Sequence, residues 1–212
     1  MKSLLLKDLL LLRSQTKSSL IILAMGLLFG ISMNSSFVIG YMGFLFVILA
    51  LSTLSYDEFE NGNVFLFTLP FTRKQYVCEK YVFCLLALFA GVIVGTVFAL
   101  PGVLIHKDAP EPFWDILSSA AVMVAGSLLM LCIMIPTRLR FGSENGRTIS
   151  GFILGILVAA VIILLKVLLP EGDSVSTPVH LPLIIILAVL FFAVVVIVSL
   201  IISLKVMENK EF

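Results

Sequence analysis

Asp57, Glu58 and Glu60 cluster in the segment SYDEFENGNVFLFTLPFTRKQYVCEK, Ser55–Lys80, the longest polar connection in the chain. The turn pair Asn61-Gly62 follows them, then the apolar run Val64-Phe65-Leu66-Phe67-Thr68-Leu69, which Pro70 ends. Thr72 and Gln75 fit a capping box that opens the next helix. Val64–Leu69 is too short to cross a bilayer, which takes about 20 apolar residues. It reads as a short helix presenting Phe65, Leu66 and Phe67. Aromatic side chains exposed in this way are costly in water and suit a protein partner or a membrane surface. Otherwise the segment folds back on its own helix ends. The chemistry here is docking, with no bond made or broken.

Residues for covalent chemistry are missing. There is no HExxH, no GxSxG and no GxxxxGK[ST] phosphate loop, so no catalytic residue is expected and the chain does not bind ATP in that way. Energy for uphill movement would come from another subunit. His106 and His180 fall in short loops with too few neighbouring ligands for a metal site, and none is expected. Cys78, Cys84 and Cys132 form no CxxC and read as free thiols. A net charge of +1 gives no reason to expect nucleic acid.

The elements that must position the docking segment are membrane helices. The 212 residues are 60% hydrophobic and 13% charged, with a mean hydropathy of +1.18. A soluble domain carries about twice that share of charge. Charge-free blocks place six spans, at about 18–33, 37–55, 80–101, 114–136, 148–169 and 181–204. The fold expected is all-α integral membrane, with residues 1–17 as an N-terminal interfacial helix and 18–212 as a single six-helix domain. Residues 56–79 form the loop between spans two and three. Pro136 is expected to stop the fourth span, and Lys166 to snorkel to the headgroups. The spans hold almost no ionisable side chains, which argues against an ion-coupled carrier.

Lys and Arg set the orientation. Twelve of the 14 lie on the side of the two termini, and only Lys107 and Lys166 on the other. Both termini are therefore expected to be cytoplasmic. The segment Met1–Lys17 carries Lys2, Lys7, Arg13 and Lys17 among leucines. It either lies in the interface against anionic headgroups or only sets topology. Glycine pairs four apart, Gly26–Gly30, Gly91–Gly95 and Gly151–Gly155, allow close backbone approach; either they mark a subunit contact or they arise by chance, since glycine is common in membrane helices.

The loop between spans two and three resembles that of the permease subunits of ABC type-2 exporters. The matching positions are the acidic Glu58 and Glu60, Gly62, the short helix Val64–Leu69, Pro70, Thr72-Arg73 and Lys80. The stretch LPFTRKQYVCEKY is most similar to the small bacterial branch that exports phenol-soluble modulins and antimicrobial peptides. The resemblance implies that Val64, Phe65, Leu66 and Phe67 form a coupling helix docking into a separate ATPase. Asp57, Glu58, Glu60, Gly62, Pro70 and Arg73 would flank that contact. It implies two ATPase copies, which carry ATP and Mg²⁺, and a second permease chain, identical or not. Gly26, Gly30, Gly151 and Gly155 would then lie at the interface between permease chains. The connection Pro170–His180 is too short for the re-entrant helices of larger members. The function implied is export of an amphipathic or hydrophobic substrate, a peptide, across a bacterial cytoplasmic membrane. The alternative is a non-transporting immunity or sensor subunit that binds a peptide and regulates a partner.

Overall fold

The structure is a computed structural model that describes residues 2–59, 62, 71–105, 113–168 and 181–209. These residues form seven helices and no strand. They are α1 (Lys2–Ser14), α2 (Thr16–Ser32), α3 (Ser35–Glu58), α4 (Arg73–Ile105), α5 (Phe113–Phe141), α6 (Ser143–Leu168) and α7 (Leu181–Glu208). The helices follow the charge-free blocks, because in hydrocarbon each backbone N–H and C=O must be satisfied within its own segment. The docking run Val64–Leu69, with Glu60 and Pro70, lies outside the described residues.

Four described segments are long and apolar enough to cross a membrane: Ser35–Glu58, Arg73–Gly102, Ile116–Phe141 and Leu190–Glu208. A fifth arises if α1 and α2, which meet at 73°, are taken as one broken span. The 17 residues of α2 alone reach only about 25 Å, short of the roughly 30 Å of hydrocarbon. The 26-residue α6 covers the fifth expected block. The protein is thus an all-α, multi-pass membrane protein.

Pro136 does not stop its helix, contrary to the expectation from sequence: α5 runs through it to Phe141. In a packed membrane helix, side-chain hydroxyls and neighbouring helices absorb the backbone groups a proline frees. Pro136 frees the Cys132 carbonyl four residues back, and the Ser199 hydroxyl of α7 donates to it at 2.5 Å. The real stop is Gly142, whose φ of +83° turns α5 into α6 through a single non-helical residue.

The core sits between α3 and α4, the most extensive helix pair, with α5 and α7 packed on it. Val47, Leu51, Tyr76, Cys84, Leu88 and Ile135 are buried there. Gly91 and Gly95 make the close approach possible. A Cβ on Gly91 would lie 2.7 Å from the Met42 carbonyl, and one on Gly95 2.8 Å from Ile39 Cα. Gly26 and Gly30 are also spent inside the chain, against Met42 and Phe98. Leu86, Phe89, Ile93 and Val97 leave the outer face of α4 apolar and exposed, as lipid requires.

The capping box expected at the start of α4 is present. Gln75 N–H donates to Thr72 Oγ1 at 3.3 Å, and Thr72 N–H donates to Gln75 Oε1 at 3.2 Å. Thr72→Ala removes one of these bonds. It is expected to cost about 1 kcal/mol in a thermal unfolding measurement.

Candidate functional site

α3 leads into the docking segment and α4 leads out of it. Where they flank the segment, a buried cluster of charges ties both helices to α1. The 33 residues of α4 reach about 50 Å, well beyond the hydrocarbon thickness, so its charged first turns have room to lie at the membrane interface.

Lys80 is the centre. It is fully buried, and its three N–H donors meet three acceptors: Asp8 Oδ2 at 2.5 Å, Asp57 Oδ2 at 2.7 Å and Thr53 Oγ1 at 3.1 Å. Asp8 comes from α1, Asp57 and Thr53 from α3. Asp57 also accepts from Lys7 at 2.5 Å and from the Tyr76 hydroxyl at 3.0 Å. Lys7 lies 3.2 Å from Asp8 Oδ1 and so bridges the two carboxylates. Burying charges costs several kcal/mol per ion, on the order recovered only when geometry and hydrogen bonding are nearly complete. Lys7, Lys80, Asp8 and Asp57 each have an opposite partner within ion-pair distance, although Asp8 Oδ1 accepts no hydrogen bond among the described residues. Glu79, beside Lys80, is also fully buried, and its carboxylate oxygens find no hydrogen-bond partner among the described residues.

Two further contacts extend the frame. Arg73, at the first turn of α4, donates to the carbonyls of Met207 at 3.1 Å and Glu208 at 3.0 Å, capping the C-terminal end of α7. Lys74 pairs with Glu208 at 3.0 Å. Deeper in the bundle, the Tyr81 hydroxyl bonds Ser199 at 2.6 Å and Ser203 at 2.8 Å, again joining α4 to α7. On the other flank, Arg138 of α5 donates to the Leu51 carbonyl of α3 at 2.7 Å.

The residues expected to flank the docking segment have separate fates. Asp57 is 5% exposed and faces the interior instead of a partner, because Lys7 and Lys80 draw its carboxylate inward. Glu58 points the other way and lines a surface hollow with Phe59, Phe141 and Glu144. Gly62 packs close to the Asp57 carbonyl. Arg73 is half-buried on the end of α7. Gly26 and Gly30 are enclosed by their own chain, whereas a Cβ on Gly151 or Gly155 would meet nothing within 4 Å. Sequence reasoning passed over Lys7, Asp8, Thr53 and Tyr76 as parts of one site. The available signal was Asp8, the one acidic residue among the leucines of the first 17 positions, which needs a cation if that segment packs.

The arrangement holds helices together. Among the described residues, no three His, Cys, Asp or Glu side chains converge as a metal site requires. Comparison with known proteins bears on what such a frame serves. Residues 3–208 match the family model of the ABC-2 family transporter proteins. No curated protein and no solved structure matches the chain. That one family model spans nearly all of a multi-pass apolar bundle places the chain plainly: it belongs to the ABC-2 transporter family, as the membrane permease component that works with an ABC ATPase subunit.

Proposed function

We propose that this permease carries its ATPase on the segment Val64–Leu69 and that the Lys80 cluster passes force from that segment into the membrane helices. The observation that supports this reading is the placement of the cluster. The last turn of α3 supplies Asp57, the first turns of α4 supply Tyr76 and Lys80, and α1 supplies Lys7 and Asp8. A push on the connection between α3 and α4 therefore meets three helices locked as one body.

In this reading the chain has six spans with both termini in the cytoplasm of a bacterium, and residues 64–69 form a coupling helix. Two permease chains and two ATPases make the transporter, with ATP and Mg²⁺ on the ATPases. The open face of α6, where Gly151, Phe152, Gly155 and Ile156 line a shallow hollow, supports a contact with the second permease chain. ATP binding closes the ATPases, drives the coupling helices and rocks the two permease chains. The cargo is an amphipathic peptide moving outward, which suits the apolar faces of the spans.

The test is a double substitution, Phe65→Ala with Phe67→Ala. Buried aromatic anchors carry much of an interface's affinity, so binding of the permease to its ATPase is expected to weaken about 30-fold or more. Co-purification and substrate-stimulated ATP hydrolysis read it out. Undiminished binding and transport would overturn the docking assignment. An intact complex without substrate flux in vesicles would favour the non-transporting regulatory subunit.

A further inference from the structure

The 73° elbow between α1 and α2 covers a cavity of about 390 Å³ that no part of the docking frame uses. Four helices wall it: α1 through Leu5, Leu9 and Leu12, α2 through Ile22 and Leu23, α3 through Phe46 and Leu49, and α4 through Phe83 to Ala90. Ser19 is the one hydroxyl among the lining side chains. The volume falls within the roughly 300–1,000 Å³ of ordinary ligand sites. The cavity opens sideways past Leu9 and Leu86, each 57% exposed, toward the space lipid occupies.

Charge is distributed unevenly around this opening. Arg13 follows directly on the lining residue Leu12, and Lys17 lies two positions before Ser19. Both are exposed, and among the described residues neither forms an ion pair, although Lys7 of α1 forms two. No carboxylate stands between Asp8 and the end of α2. The elbow thus joins an apolar slot to two exposed cations, one and two positions from lining residues in the sequence, at the bend between α1 and α2.

We infer that the elbow cavity is a binding site for an anionic phospholipid, with an acyl chain between α1, α3 and α4 and the headgroup phosphate on Arg13 and Lys17. A zwitterionic lipid fills the slot equally well but gains little from the two cations. A second copy of the chain or a peptide cargo would match the apolar lining without needing the two cations.

Native mass spectrometry of the detergent-solubilised full chain tests this, titrated with dioleoyl-phosphatidylglycerol and, separately, dioleoyl-phosphatidylcholine. Phosphatidylglycerol is expected to bind in preference. Arg13→Gln with Lys17→Gln is expected to lower its affinity about 30-fold while leaving phosphatidylcholine unchanged. Ala87→Trp, which fills the slot, is expected to abolish retention of both. Equal affinity of the wild type for the two lipids would overturn the proposal, as would an unaltered preference in the charge variant. A wild-type chain that holds no lipid but loses self-association or peptide binding with Ala87→Trp would overturn it in favour of those occupants. The charge variant lies on exposed residues, so it decides the question even if Ala87→Trp does not fold.

Discussion

Lys80→Met is expected to destabilise the protein by about 3–5 kcal/mol, the cost of leaving buried charge without its counterion. Asp8 and Asp57 would then face each other with only Lys7, which is half-exposed, between them. Unfolding in detergent can be followed with a thiol-reactive dye, since Cys84 and Cys132 are free and buried in the folded chain. The triple change Lys80→Met, Asp8→Asn and Asp57→Asn removes the three buried partners together, leaving Lys7, which can reach solvent, and is expected to recover most of the lost stability. The stability outcome separates from the functional one. If the cluster transmits force, the triple variant folds and binds its ATPase, yet ATP hydrolysis no longer drives transport. Full transport by a stable triple variant would show that the cluster only holds helices together.

Gly95→Leu is expected to cost about 3 kcal/mol, at the upper end for overpacking. A new Cβ would press on Ile39 Cα at 2.8 Å and the Ile39 carbonyl at 3.1 Å. Backbone cannot swing aside as a side-chain tip does, so α3 and α4 must separate along the pair that forms the core. Gly151→Leu and Gly155→Leu provide the contrast. With open space around both glycines, the melting temperature of the isolated chain is expected to stay the same. If α6 meets a second permease chain, self-association falls in those two variants. Unchanged self-association would remove α6 from the proposed interface.

What the sequence made legible was local. The helices follow from charge-free blocks, and the capping box of Thr72 and Gln75 follows from spacing alone, since its partners are three residues apart. The glycine pairs signalled close contact but could not say with what. Gly26–Gly30 and Gly91–Gly95 turned out to serve the chain's own packing, and only Gly151–Gly155 stays open. Pro136 misled because proline's cost depends on whether neighbours can satisfy the freed carbonyl, a tertiary property. The ion cluster was invisible for a related reason. Lys80 and Asp8 are 72 positions apart, and Asp57 in a run of acids reads as a solvated charge until α1 is laid across α3 and α4. Hydropathy weighs each residue singly, so it cannot separate a lysine in water from one neutralised inside a bundle.

The grip of Arg73 on the carbonyls of Met207 and Glu208 has a consequence for the order of synthesis. The first turn of α4 emerges from the ribosome early, but the helix end it caps is made 134 residues later. Until α7 is inserted, the guanidinium and the exit of the docking segment lack that support. A permease lacking α7 would thus present an unfinished face to its ATPase, and the assembly step would wait on insertion of that helix.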